Sequence, residues 1–164
     1  VEGGKYNARR VQLSHWLDST DPDLSAFYKH GGKLIVSIGA MDTTASSGAQ
    51  LDYYQSLLDT MGQEALDKFA RLYVSPQGGH GMSGNKFFLD GNGKETGCTE
   101  IPGTFDQFSL LQDWVENGKA PGKSIVATGR SDSSKTMPVC SYPSYPRFVT
   151  GDPDKASSYT CAYE

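Results

Sequence analysis

Two apolar runs separated by a helix-length segment constrain the fold of this chain most strongly. Residues 34–38 are leucine or β-branched at nearly every position, and residues 72–74 form a second, shorter run. Runs of this kind predict parallel strands buried on both faces and joined by a crossover helix. That helix is predicted over residues 49–61, where apolar side chains recur at three- and four-residue steps. The sequence therefore predicts an α/β fold with a parallel strand–helix–strand unit.

A residue with useful acid–base chemistry follows each run. Asp42 comes after the first run, and His80 lies in a glycine-dense loop after the second. The carboxyl ends of strands form the active crevice of open α/β sheets. An acid followed by a histidine is also the order of the last two members of the Ser…Asp…His triad in α/β-hydrolases. Asp42 is therefore the candidate for orienting an imidazole, and His80 the candidate general base.

Plainer explanations exist for both residues, since Asp42 suits a helix cap and His80 an ordinary loop position. A nucleophile is also missing, because the chain contains no Gly-x-Ser-x-Gly motif. Ser83 is a poor substitute, because it follows the histidine in the same loop and lacks the second glycine of that motif. The serine is therefore expected on covalent sequence outside these 164 residues.

Length and charge limit the choice of partners. A chain of 164 residues is expected to form one domain. Its net charge of −4, without a stripe of Lys and Arg, argues against a nucleic-acid partner. No apolar segment approaches the ~20 residues that a membrane span needs, so no membrane partner is predicted.

No metal or cofactor is predicted in this chain. No His/Cys cluster has zinc spacing. Residues 90–95 begin like a calcium loop, but Lys94 occupies its fifth position and Ile101 the position of the required glutamate. A turn is expected there instead. His15 and His30 have no matching acid and are expected to be surface groups.

The three cysteines suggest a secreted protein. Cys140 and Cys161 enclose most of residues 131–164, a segment rich in Pro, Ser and Tyr that is predicted to be an irregular tail. A disulfide between them is expected, with two free thiols as the alternative. Such a bridge indicates an oxidising compartment. Cys98 is then left over, which suggests a covalent partner outside this sequence.

Other local signals predict the remaining elements. Asp21 is a candidate cap for a short helix, and residues 63–69 are predicted to form another. Residues 85–102 have no clear period and are expected to be irregular. Thr104, with glutamine three residues later, predicts a capped helix start. Residues 124–128 are predicted to be a short edge strand.

An ordered set of motifs resembles the C-terminal part of the tannase and feruloyl esterase family. The resemblance covers residues 20–161, nearly the whole chain, and the ordered set is fairly specific although no single motif is decisive. The motifs are residues 23–27 (DLSAF), 31–35 (GGKLI), 39–42 (GAMD), 52–54 (DYY), 79–81 (GHG), 111–121 (LQDWVENGKAP) and 138–143 (PVCSYP).

The resemblance implies a secreted serine-type carboxylic ester hydrolase of α/β-hydrolase fold that cleaves phenolic acid esters, such as feruloyl or galloyl esters. The acid and histidine of the family correspond to Asp42 and His80, and the pair Cys140 and Cys161 to a tail disulfide. The nucleophile, the oxyanion hole and a lid with its structural calcium ion belong to the preceding part of the family's chains.

Some fungal members of the family are cut into two chains that stay together. The resemblance thus implies that residues 1–164 are the C-terminal part of a single α/β-hydrolase domain. The missing N-terminal chain of the same precursor would complete that domain and carry the serine, and Cys98 is the residue expected to bond to it. This chain would be active only with that partner.

One position departs from the family. Most members have a cysteine after the catalytic histidine, bonded to a cysteine beside the serine, whereas this chain has Gly81. The departure supports an alternative, in which the chain is a non-catalytic α/β binding or interaction subunit with a vestigial triad. A third hypothesis is a self-sufficient hydrolase that uses Ser83.

Overall fold

The computed structural model describes residues 3–163 of the chain. These residues form helices, strands and two one-turn 3₁₀ helices, at His80–Met82 and Ala156–Ser158. In chain order the elements are α1 (Asn7–Leu17), α2 (Ser25–Lys29), β1 (Leu34–Gly39), α3 (Ser47–Met61), α4 (Gln63–Leu66), β2 (Ala70–Ser75), β3 (Gly84–Leu89), β4 (Glu95–Ile101), α5 (Gln107–Asn117), β5 (Ser124–Thr128), β6 (Thr136–Ser141), β7 (Tyr145–Phe148) and β8 (Tyr159–Ala162).

The central sheet has four strands in the order β1-β2-β6-β5. Strands β1 and β2 are parallel, which confirms the predicted strand–helix–strand unit, and Gly39 lies opposite Ser75 where both strands end. Strand β6 pairs antiparallel with β2 on one side and with β5 on the other. The predicted strand at residues 124–128 is confirmed as β5, at an edge of the sheet.

Helices cover the sheet on both faces, which makes the fold α/β. On one face α3 and α4 pack with β1 and β2 around a core that includes Leu57 and Phe69. On the other face Tyr73 and Val139 form a second cluster, against which Phe105 packs just before α5. Helix α5 buries Trp114. Within residues 3–163, no helix combines the length and the apolar character needed to cross a membrane.

Residues 85–102, expected to be irregular, form the antiparallel hairpin β3–β4. The expectation was wrong because the strand carries Phe87, Phe88 and Leu89 in succession, all exposed. Alternation of apolar and polar residues, which signals a strand with one buried face, is therefore missing. The turn expected at residues 90–95 joins the two strands, and Asp90 Oδ1 accepts hydrogen bonds from the backbone of Asn92 and Lys94.

The tail predicted over residues 131–164 is more ordered than expected in the part that the structure describes, residues 131–163. It contains β6, which lies inside the central sheet, and the antiparallel hairpin β7–β8. Strand β6 is hard to recognise from the sequence because it contains Pro138, a residue that is rare inside a sheet. Only Cys140 and Ser141 of β6 pair with β2. Pro138 lies outside this pairing, so its missing backbone N–H costs no hydrogen bond to β2. The predicted disulfide is present, with Cα atoms of Cys140 and Cys161 5.7 Å apart.

Two helix starts differ from the predictions. Helix α5 begins after Asp106, whose Oδ1 accepts a hydrogen bond from Ser109 N at 3.0 Å, whereas Thr104 pairs with Thr128 in a β-bridge. Helix α2 begins after Leu24, so Asp21 is not its cap. The short helix predicted at residues 63–69 ends at Leu66, as α4.

Candidate active site

Asp42 lies in the turn between β1 and α3. Its Oδ1 accepts hydrogen bonds from Thr44 N at 2.7 Å and from Ala45 N at 3.0 Å. The cap of α3 is a different residue, Ser46, whose side chain accepts from Ala49 N. Capping of α3 therefore does not explain Asp42. The two backbone donors instead fix the orientation of its carboxylate.

His80 opens the 3₁₀ helix that follows β2, and the backbone around it is tightly turned. Gly81 has φ of +78° and Met82 has φ of +68°. The left-handed region is easily reached by glycine but rarely by a residue such as methionine. Met82 is held there with its side chain buried in the core. This geometry leaves His80 at the outside of the bend.

The structure brings the two candidate residues into direct contact. His80 Nδ1 lies 2.9 Å from Asp42 Oδ2. The Asp42 side chain is only 8% exposed, whereas the His80 side chain is 70% exposed. The sequence predicted this contact from the positions of both residues after neighbouring parallel strands.

The surroundings of Asp42 favour its charged form. The N–H of Ala45 contributes most to lowering the pKa of this carboxyl group, followed by the His80 contact and the N–H of Thr44. The carboxylate accepts all three hydrogen bonds and is stabilised by them. An ionised Asp42 requires His80 Nδ1 to be the donor. In the neutral imidazole with Nδ1 as the donor, Nε2 on the other side of the ring is the nitrogen that can accept a proton.

The two loops that carry this pair are joined through their backbones. Ala40 N donates to Ser75 O at 3.0 Å, and Met41 N donates to Gly78 O at 2.8 Å. Each bond crosses from the Asp42 turn to the end of β2 or to the His80 loop. The relative position of acid and histidine is therefore set by backbone contacts as well as by their own hydrogen bond.

The other candidates stand apart from this pair. Ser83 follows the 3₁₀ helix, and its carbonyl accepts from Gly79 N. Within residues 3–163, no hydrogen bond joins its hydroxyl to His80. His15 on α1 and His30 after α2 are exposed, as expected.

In the part of the chain that the structure describes, no three His, Cys, Asp or Glu side chains form a group suited to a metal ion.

Sequence reasoning missed one polar residue beside the site. Ser75, the last residue of β2, is completely buried. Its hydroxyl donates to Met82 O at 3.2 Å. A single serine at the end of a strand carries no pattern that distinguishes it, because its acceptor lies seven residues further on in a loop.

Together, fold and site define an α/β protein that holds an Asp–His pair at the carboxyl ends of two neighbouring parallel strands. The model of the family described as "Tannase and feruloyl esterase" matches residues 3–162. The chain therefore belongs to the tannase and feruloyl esterase family.

Individual relatives are similar to this chain over nearly all of its length. An uncharacterised esterase of Agrobacterium fabrum is 32% identical over 98% of the chain. Mono(2-hydroxyethyl) terephthalate hydrolase of Piscinibacter sakaiensis is 32% identical over 90%. The crystal structure of feruloyl esterase B from Aspergillus oryzae aligns with 93% of the chain, with a TM-score of 0.73 and 26% identity.

The chain is much shorter than these relatives. It spans 27% of the Agrobacterium protein and 22% of the terephthalate hydrolase. It likewise spans 31% of the feruloyl esterase in the crystal structure.

Proposed function

We propose that the complete protein is a secreted serine-type carboxylic ester hydrolase that acts on esters of phenolic acids. In this proposal Asp42 and His80 are the acid and the histidine of a Ser-Asp-His triad. The serine lies on an N-terminal segment of the same precursor. The observation that carries the proposal is the 2.9 Å contact between Asp42 and His80, a histidine whose side chain is 70% exposed.

The proposed reaction begins with attack of the serine hydroxyl on the ester carbonyl. His80 Nε2 takes the proton of that hydroxyl as the serine oxygen bonds to the carbonyl carbon. Asp42 holds the Nδ1 proton and stabilises the imidazolium that forms. His80 then gives the proton to the leaving alcohol as the ester bond breaks. Water then attacks the carbonyl carbon of the acyl-serine while His80 Nε2 takes its proton. Return of that proton to the serine oxygen, as its bond to the acyl carbon breaks, releases the acid and restores the hydroxyl.

The choice of substrate rests on the relatives. One has feruloyl esters in its name and another a terephthalate ester, and both are esters of aromatic acids. We extend this chemistry to the present protein and propose feruloyl or galloyl esters as the substrate class. Secretion is supported by the disulfide between Cys140 and Cys161, because such bonds persist in oxidising compartments.

The open edge of the sheet supports a partner segment that completes the domain. Among residues 3–163, no strand pairs with β1 on the side away from β2. Leu34 N and Ala40 N both donate toward the β2 side, to Phe69 O and Ser75 O. The backbone N–H and C=O groups of successive residues in a strand face opposite neighbours. Those of Ile35 therefore face the open edge of β1. Unpaired backbone N–H and C=O groups along a strand edge are a template for pairing, so this edge suits another strand.

Helix α5 carries an apolar stripe on its surface. Phe108 is 76% exposed, and with Leu111 and Val115 it lines a shallow groove of about 240 Å³. The helix lies over β1, where Ser37 Oγ donates to Gln107 Oε1. Its other side borders a cavity shared with β5. Phe108, Leu111 and Val115 do not line that cavity, so the stripe lies on a different part of the α5 surface.

The opposite face of the sheet has a matching apolar cavity beside β1. This cavity has a volume of about 640 Å³, and its walls include Phe27, Val36 and Tyr53. A strand added to β1 would direct its side chains alternately toward the face of the sheet with this cavity and toward the face on which α5 lies. We propose that the N-terminal segment supplies this strand, together with the calcium-binding lid implied by the family resemblance.

Cys98 is the proposed covalent link to that segment. It is an exposed free cysteine on β4, directly across from the exposed Phe87 on β3. Mass analysis of the complete protein without reducing agent is expected to show Cys98 bonded to the N-terminal segment. A free Cys98 thiol would remove this part of the proposal.

The alternative is a non-catalytic binding subunit, and glycine at position 81 favours it. A glycine cannot form the disulfide that the family resemblance implies beside the histidine. The two hypotheses differ in one measurement on the complete protein, namely hydrolysis of a feruloyl or galloyl ester with and without a serine-directed inhibitor. The catalytic proposal expects turnover that the inhibitor abolishes, whereas the alternative expects no turnover.

The role of His80 is tested by substitution in the complete protein. His80→Ala is expected to lower kcat by several orders of magnitude, because the proton acceptor is lost. His30→Ala, at an exposed histidine after α2, is the matched control and is expected to retain full activity. Near-normal turnover in His80→Ala would end the assignment. Covalent labelling of Ser83 by the inhibitor would instead support the self-sufficient hydrolase.

A further inference from the structure

Ser75 is a buried polar residue that the proposed reaction does not use. It is the last residue of β2, and its relative exposure is 0%. A buried hydroxyl costs free energy unless it is hydrogen-bonded, so its partner usually explains why it is there. Its partner here is in the loop that carries His80.

The hydrogen bonds of Ser75 reach both loops of the site. Its Oγ donates to Met82 O, two residues beyond His80, at 3.2 Å. Its carbonyl oxygen accepts from Ala40 N at 3.0 Å and from Gly78 N at 3.1 Å. One residue therefore joins the turn that leads to Asp42 to both ends of the His80 loop.

The His80 loop needs such support. Met82 is held in the left-handed region with φ of +68°, a conformation that its surroundings must maintain. The space beside Gly81 is open, because a Cβ there would meet no heavy atom within 4 Å. Gly78 packs directly on the hydroxyl, since a Cβ at that position would lie 2.6 Å from Ser75 Oγ. The Ser75 hydroxyl fills the inside of this loop.

We propose that Ser75 is a positioning residue for the candidate histidine. Its hydroxyl fixes the Met82 carbonyl and so holds the loop that directs His80 toward Asp42. The role of Ser75 in turnover depends on the ester hydrolase proposed above, but its role in the His80–Asp42 geometry does not.

The test compares two buried serines in the complete protein. Ser75→Ala is expected to lower kcat by roughly tenfold to a hundredfold through misplacement of His80, with KM within about twofold of wild type. Ser158→Ala is the matched control, because Ser158 is also buried but lies in the 3₁₀ helix before β8. It is expected to change thermal stability and leave kcat unchanged.

A spectroscopic readout separates positioning from general destabilisation. The His80 Nδ1 proton, hydrogen-bonded to Asp42, is expected to give a downfield proton NMR signal. That signal is expected to be lost or broadened in Ser75→Ala and retained in Ser158→Ala. The measurement does not need turnover, so it tests the geometry even if the complete protein is not an esterase.

A second variant tests the same contact with the hydroxyl retained. In Gly78→Ala the new methyl group would meet both Ser75 Oγ and Met82 O, at 2.6 and 2.8 Å, and is expected to break their hydrogen bond. Loss of the NMR signal in this variant supports the proposal even if Ser75→Ala fails to fold. A retained signal in folded Ser75→Ala, or an equal loss in Ser158→Ala, would overturn it.

Discussion

Gly39 at the end of β1 packs directly against the backbone carbonyl of Gly79 in the His80 loop. A Cβ on Gly39 would overlap with the carbonyl oxygens of both Gly78 and Gly79. These are backbone atoms, so they cannot move aside as a flexible side chain could. The absence of a side chain at Gly39 therefore allows the Asp42 turn and the His80 loop to lie side by side.

Gly39→Ala is expected to separate these two loops. The methyl group would force them apart, which weakens the His80–Asp42 contact and lowers kcat by about a hundredfold. Gly48→Ala is the control, because a Cβ at Gly48, in the first turn of α3, would meet its nearest atom at 3.8 Å. That variant is expected to be active and equally or slightly more stable. Equal kcat values for the two variants would contradict the close-packing argument.

Asp42 is expected to contribute to stability in a pH-dependent manner. Its pKa in the folded chain is lowered from 3.8, chiefly by the N–H of Ala45 and then by His80. A lowered pKa means that the contribution is fully present above the unfolded value and is lost as the pH falls through the folded value. Urea unfolding of the complete protein, as wild type and as Asp42→Asn, measures this contribution.

The difference in unfolding free energy between these two proteins is expected to be largest above about pH 5. It should shrink as the pH falls below about 4. A difference that stays constant down to pH 2.5, or that grows on acidification, would contradict the assignment. In the complete protein Asp42→Asn is also expected to lower kcat, by less than His80→Ala does.

Tyr73 is expected to stabilise the sheet through a buried hydroxyl. Its OH donates to Gly122 O at 2.6 Å, and burial raises the pKa of this side chain to about 12. Tyr73→Phe removes that hydrogen bond and is expected to lower the free energy of unfolding by about 1 kcal/mol. Tyr163→Phe, at a residue that is 73% exposed, is expected to have no measurable effect. Chemical denaturation of both variants of the complete protein provides the comparison.

The disulfide between Cys140 and Cys161 is expected to contribute about 3 kcal/mol, because it closes a loop with a sequence separation of 21. Replacing both cysteines by alanine should lower the unfolding free energy by that amount. It should also release the β7–β8 hairpin from β6, which faster hydrogen exchange of β8 amides would reveal. Unchanged stability and exchange would show that packing alone retains the hairpin.

The contact between Asp42 and His80 follows from sequence because parallel strands impose it. Neighbouring parallel strands end at the same edge of a sheet, so residues just beyond those ends meet. The positions of Asp42 and His80 after two parallel strands are therefore enough to predict their contact. Both strands are recognisable in the sequence as apolar runs.

The β3–β4 hairpin and the role of Ser75 do not follow from such patterns. The hairpin shows three exposed apolar residues in succession, so its pattern does not indicate one buried face. Ser75 acts through a backbone carbonyl whose position depends on the left-handed conformation of Met82. Loop conformation of this kind depends on tertiary packing rather than on local residue preference.

The exposed edge of β1 also has a consequence for how such a protein is produced. A strand with an unpaired edge, next to exposed apolar surfaces, is a template for self-association. The chain synthesised alone is therefore expected to aggregate. Its folding should require the remainder of the polypeptide to be present from the start. If the mature enzyme consists of two chains, proteolytic cleavage is expected to come after folding.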